Sequence, residues 1–316
     1  MIGQLRASVM EACDEALDTP KNRQVRRLFE EAGVVPAQFL RSLAVERSRS
    51  AVRVLQRMMT GLESAGPGDI EHFLLITVAQ DNVDGIPLTP VTETTKEDIH
   101  QGFLKLVAPI PRLRAKLVTG HSWFSSAAKI VMLERFPGGA YEWEVSGFPR
   151  SWFFKVQKSR LLELLGVLIK ETHGLYPFFA PHISILREPG SRLTQDELTK
   201  SYVQMARGME LQPSIKGMVA ASWLYHPKLP EISPHIYDVM HRQIADGGAF
   251  HADMGAVHPE KSGALAKSQT RRSLYEAGTW KPRSGVVLWP RGRMIAWAGQ
   301  FSSSGSPNPT AASTVQ

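Results

Sequence analysis

The residues best suited to chemistry lie between Lys261 and Arg293, KSGALAKSQTRRSLYEAGTWKPRSGVVLWPRGR. Eight lysines and arginines stand there against one acid, Glu276, so about a tenth of the chain carries a net charge of +7, equal to that of all 316 residues. Tyr275, Trp280 and Trp289 are interleaved with the charges. Ser268 or Thr270 precedes a short helical stretch whose first turn holds Arg271 and Arg272. Free backbone N–H groups at a helix N-terminus, a hydroxyl cap and two guanidinium groups together make an anion site. Arg283, Arg291 and Arg293 join it if a closing hairpin packs beside that helix. The expected ligand is an anionic small molecule or a phosphate-bearing cofactor, with nucleic acid as the alternative partner for the same charges. A basic surface flanking an acidic partner, or one simply solvated, gives the same run of residues.

Three other constellations invite a chemical reading. His251-Ala-Asp253 puts an imidazole and a carboxylate on one face of a strand, where they can chelate a metal as in a metal-dependent oxygenase. No histidine after His258 supplies the usual distant ligand, and no spacing selects among His182, His226, His235 and His241, so no metal ligand is assigned. Glu142 and Glu144 share a face of another strand and resemble a general acid and base, although strand alternation alone explains them. Cys13 has no histidine near it in sequence to activate a thiolate. Loops of the GxSxG, Walker A and GxGxxG types are absent, as are zinc-type cysteine pairs. One cysteine excludes an intramolecular disulfide framework, and no apolar run approaches the roughly 20 residues that span a bilayer. A cytoplasmic protein with no membrane partner is expected, of undetermined oligomeric state.

The elements that must position these residues are read from periodicity. Residues 1–65 form a helical N-terminal region, with Asn22 capping a helix stopped by Gly33 and an apolar face from Phe39 to Leu62. Residues 66–300 form a mixed α/β domain: a sheet of both strand directions with helices on its faces. HFLLITVA (72–79) reads as a buried strand, and Thr95 with Asp98 as a capping box. Residues 129–148 read as a hairpin around PGG, and 151–172 contain a helix stopped by Gly174. Thr194 with Glu197 caps a helix to about residue 210. Strand 215–225, helix 235–245, strand 249–257, helix 270–277 with Gly278 as its stop, and a hairpin of GVVLWP and MIAWAG complete the domain. The Ser/Pro/Thr-rich tail, 301–316, is expected to be disordered.

Residues 222–298, SWLYHPKLPEISPH…AKSQTRRSLYEAGTWKP…VVLWPRGRMIAWA, resemble a group of bacterial proteins with no established function. In element order, residues 215–299 also resemble the second half of the GCN5-related N-acetyltransferase fold: central strand, cofactor helix, strand, short helix, closing strand pair. Leu274-Tyr275-Glu276-Ala277-Gly278 is similar to that family's LYExxG helix. The resemblance implies an acyltransferase that moves an acyl group from acyl-CoA to an amine. Tyr275 would be the acid toward the leaving thiolate and Glu142 or Glu144 the base. Ser268, Thr270, Arg271, Arg272 and Arg283 would hold the cofactor phosphates, and the 129–148 hairpin would stand for the family's second and third strands. Where the family carries a glycine-rich Q/RxxGxG/A loop, this chain reads HPKLPEISPH.

Overall fold

Local capping sets the first helices. In the computed structural model, which describes residues 1–46, 48–60, 66–109, 122–188, 191–226, 228–258, 262–265 and 268–301, α1 (Ile2–Leu17) is followed by α2 (Pro20–Ala32). The cap of α2 is Thr19, whose hydroxyl accepts from the Asn22 N–H at 3.3 Å, with Pro20 at the start of the helix. Asn22 itself sits one turn inside, its amide donating to the Ala16 carbonyl. Gly33 closes α2 in the left-handed conformation, φ 62°. The chain continues through α3 (Pro36–Leu40), a π-helical turn at Arg41–Val45, and α4 (Arg49–Thr60).

The apolar run HFLLITVA is a helix, not a strand: it lies within α5 (Pro67–Asn82). Phe73, Leu74, Leu75, Ile76, Val78 and Ala79 are all buried, because α1, α2 and α3 pack around α5 together with α6 (Glu93–Val107) and α7 (Ser122–Val131). A segment buried on every side has no polar face to reveal its period, so its short apolar run reads equally well as a strand. The cap of α6 is Thr92, which accepts from the Thr95 N–H, so Thr95 lies in the first turn. Residues 129–131, expected in a hairpin, belong to α7, and only β1 (Arg135–Gly138) remains of that strand. These elements, Met1–Gly138 with Ile183–Pro189, form the first of two compact units, so the helical region extends well past residue 65.

The second unit comprises Gly139–His182 and Gly190–Gln316. Its elements are β2 (Tyr141–Ser146), α8 (Leu161–Lys170), β3 (Phe178–Ile183), α9 (Gln195–Leu211), β4 (Gly217–Ser222), α10 (Pro234–Asp246), β5 (Phe250–Ala256), α11 (Gln269–Glu276), β6 (Arg283–Pro290) and α12 (Arg291–Gly299). The strands run in the order β2-β3-β4-β6-β5. β3 is parallel to β4, while β6 is antiparallel to β4 on one side and β5 on the other, which makes the sheet mixed. One sheet face buries Val219, Val286, Leu288 and Phe250 with Leu164 and Leu168 of α8. On the other, Trp289 meets Tyr202 of α9 at 5.5 Å and Trp297 of α12 at 5.1 Å between ring centroids. The Thr194–Glu197 capping box of α9 is formed as the sequence indicates.

MIAWAG is helical as well. Met294, Trp297 and Ala298 are its buried residues, a spacing of three and four that fits a helix face, so β6 is a single closing strand without a hairpin partner. Two regions of the sequence reading, Lys261 with Lys267 and the tail from Ser302, lie outside the described residues. Among the described residues no helix is long and apolar enough to cross a membrane.

Candidate functional site

The polar groups of the second unit gather where the chain leaves β4. Ser222 accepts from the Leu224 N–H at 3.2 Å and starts a 3-10 turn, Trp223–Tyr225, that folds back over β6. Gly285 makes this possible: a Cβ there would stand 1.8 Å from the Tyr225 carbonyl oxygen. Each residue of the turn is then fixed from a different element. His241 of α10 donates through Nε2 to the Leu224 carbonyl at 3.1 Å, and His251 of β5 donates to the Tyr225 carbonyl. The Tyr225 hydroxyl meets that of Tyr141 at 3.1 Å inside the core. His226 accepts the Lys228 N–H at Nδ1 and turns Nε2 toward Asp253 Oδ1, 3.8 Å away.

Asp253 is placed by a β-bulge. The β5–β6 register shifts between Asp253 and Gly255, where Gly255 takes φ 90°, and Asp253 Oδ1 accepts the Gly255 N–H at 2.7 Å. Arg283 donates two hydrogen bonds to Asp253 Oδ2. Burial alone would raise the Asp253 pKa, but these bonds and the charge of Arg283 bring it below the usual carboxylate value. Burial lowers the pKa of His226, His241 and His251, that of His241 to about 4, so all three are neutral at pH 7. His251 and Asp253 do share one strand face as expected. Their facing atoms are already engaged by Tyr225, Arg283 and Gly255, and among the described residues no three His, Cys, Asp or Glu side chains gather as a metal set.

The basic segment does not form one patch. Ser268 caps α11 by accepting from the Arg271 N–H at 3.3 Å, the helix start expected from sequence, and Thr270 is exposed on its first turn. Arg271 turns inward and is only 6% exposed. Its Nε donates to the Ala264 carbonyl at 2.6 Å, its Nη1 to Ser233 Oγ at 3.3 Å, and its guanidinium lies 4.6 Å from the Trp223 ring centroid. Arg272 stays exposed, with a long 3.5 Å contact to the Leu265 carbonyl. Arg283 is engaged by Asp253. Arg291 and Arg293 begin α12 at the far end of β6, about 26 Å from Arg283 along the strand. There Arg291 donates to the Met209 carbonyl and Arg293 pairs with Glu171. The turn of the expected hairpin would stand at this same far end, so the length of β6 separates these arginines from Arg283.

The expected carboxylates part company too. Glu142 is 0% exposed, since both faces of β2 are covered at Tyr141–Trp143, and it cannot meet a substrate from solution. Glu144 is partly accessible and lies 3.6 Å from His182 Nε2. Tyr275, 37% exposed, sits one turn beyond Arg271 on the same side of α11. Sequence reasoning missed Trp223 and Ser233, and it named His241 only as one of four possible partners of a metal. Only the tight WLYH turn after β4 hinted at them, since a serine before a turn is an ordinary capping signal.

Ser233 is the N-cap residue of α10, yet its side chain caps nothing; its oxygen accepts from Arg271. Arg271 thus bridges the N-terminal ends of α10 and α11, a buried cation between two positive helix poles, and no acid pairs with it among the described residues. A cleft of about 320 Å³ begins one turn along α10, lined by Tyr237, which stacks on His241 at 4.1 Å, and by Asp238, Arg242 and Gln195. Comparison with family models, curated proteins and solved structures finds no match for the chain.

Proposed function

We propose that the second unit binds a phosphate-bearing small molecule at the N-terminal ends of α10 and α11, in the service of acyl transfer from a CoA-type thioester to an amine. The carrying observation is Arg271, a buried guanidinium with no acid beside it among the described residues, pointing from one helix start to another. An anion there would satisfy both helix poles and the guanidinium at once. Ser268, Thr270 and Arg272 line the start of α11 and would hold further phosphate oxygens. Tyr275, on the exposed end of the same helix, is the acid toward the leaving thiolate, and Glu144 is the base that solvent can reach. Arg283 serves this reading only indirectly, by fixing Asp253. A cytoplasmic location follows from such a ligand.

The nucleic-acid reading has less support, because a duplex or single strand needs a continuous basic track, whereas Arg283 and Arg293 are neutralised by Asp253 and Glu171. The test is thermal stabilisation by acetyl-CoA, CoA, ATP and inorganic phosphate, followed by assay of thiol release with amine acceptors. Binding raises Tm with the logarithm of ligand over Kd. Acetyl-CoA should stabilise the protein, and the exposed variant Arg272→Gln and the buried Arg271→Gln should both weaken it. Absence of any shift at millimolar ligand would refute the site. A shift with ATP and CoA alike but no thiol release would keep the anion site and remove the reaction.

A further inference from the structure

The helical first unit holds a larger cleft, independent of the site above. It measures about 530 Å³ and lies among α1, α2, α5 and the end of α6, a size that suits a small molecule. Ala12, Ala16, Leu104 and Val107 give it an apolar floor, and Glu15, Lys21, Asp69 and His72 supply its ionisable groups.

The hydrogen-bond inventory of these walls is lopsided. Thr19 donates its hydroxyl to the Ala16 carbonyl at 3.1 Å, and the Asn22 amide donates to the same oxygen at 2.7 Å. His72 donates through Nε2 to the Val107 carbonyl at 3.0 Å. Three side-chain donors are therefore turned onto backbone, and His72 is left presenting Nδ1, a lone pair. Burial depresses the His72 pKa, which keeps that lone pair bare at pH 7. Asp69 folds back over the start of α5, accepting the Gly66 N–H at 2.7 Å, and offsets Lys21, 3.5 Å away. The carbonyl end of α6, at Val107 and Ala108, adds a negative helix pole. Glu15 is exposed and has no ion-pair partner among the described residues. The cleft offers acceptors and negative charge above an apolar floor.

We propose that this cleft binds an organic ammonium ion with an apolar body, the ammonium directed to Glu15 and the His72 lone pair and the hydrocarbon resting on Ala12, Ala16 and Leu104. The experiment uses the full chain at pH 7 with three probes of matched shape: 2-phenylethylammonium, 2-phenylethanol and 3-phenylpropionate, titrated by calorimetry or NMR. The ammonium ion should bind, the alcohol more weakly and the carboxylate not at all. Glu15→Gln, at an exposed site that should leave Tm unchanged, should weaken the ammonium about fivefold, the upper range for one solvent-exposed charge contact, and leave the alcohol unaffected. Glu11→Gln, on the same helix but outside the cleft, should change nothing. Equal binding of all three probes, no binding of the ammonium at millimolar concentration, or equal losses in the two glutamine variants would each overturn the proposal.

Discussion

Acid should loosen the second unit through His241. Its ring stacks on Tyr237 at 4.1 Å, meets His251 at 4.7 Å between centroids, and holds the Leu224 carbonyl. The titratable and charged groups around it are His251, Tyr225, Tyr237, Asp238 and Arg242, with His226, Asp253 and Arg160 behind His251. Burial is the largest cause of the depressed pKa, and the neighbouring His251 charge adds to it. The folded-state value of about 4 against 6.5 for a free histidine fixes the sign. Above pH 6.5 the ring is neutral in both states and contributes nothing. As pH falls from 6.5 toward 4 the unfolded chain takes up the proton first, so stability is lost across that window and not below it. At about 1.36 kcal/mol per pKa unit the loss comes to roughly 3 kcal/mol. His226 and His251 are shifted the same way and steepen the fall. The assay is urea unfolding followed by tryptophan fluorescence between pH 7.5 and 4.5; six of the seven tryptophans lie in the second unit's sequence. His241→Phe keeps the ring stack but leaves the Leu224 carbonyl without its donor. It should cost about 1–3 kcal/mol at pH 7.5 and flatten the pH dependence. Equal slopes for the parent and His241→Phe would refute the reasoning.

Two further outcomes follow from packing. Gly285→Ala should destabilise the second unit by about 3 kcal/mol or more, because the added methyl meets the Tyr225 backbone carbonyl at 1.8 Å and displacing it breaks the His251 bond; urea midpoints measure this, and a shift under about 0.5 kcal/mol would contradict the crossing geometry. Cys13 is buried, and burial together with the adjacent Asp14 charge pushes its thiol up to about 12. It should therefore resist alkylation by iodoacetamide at pH 8 in the folded protein and react promptly in urea.

Sequence alone fixed what a few neighbouring residues decide. Gly33 and Gly278 stand where left-handed closure was expected, at φ 62° and 71°. Thr194 and Glu197 cap each other, and alternation correctly put His251 and Asp253 on one face of β5. Caps and strand alternation act within one turn or one strand, so the text of the chain contains them. Burial from several sides does not show in the text. HFLLITVA and MIAWAG became helices because neighbouring helices and the sheet enclosed them, and their short apolar runs carry no period that excludes a strand. The +7 segment met the same limit. Its charges are adjacent in sequence, but β6 runs straight between Arg283 and Arg291, and Asp253 and Glu171 come from elsewhere to neutralise two of its arginines. Only the folded chain singles out Arg271, because the absence of an acid beside this buried cation among the described residues is a property of its surroundings.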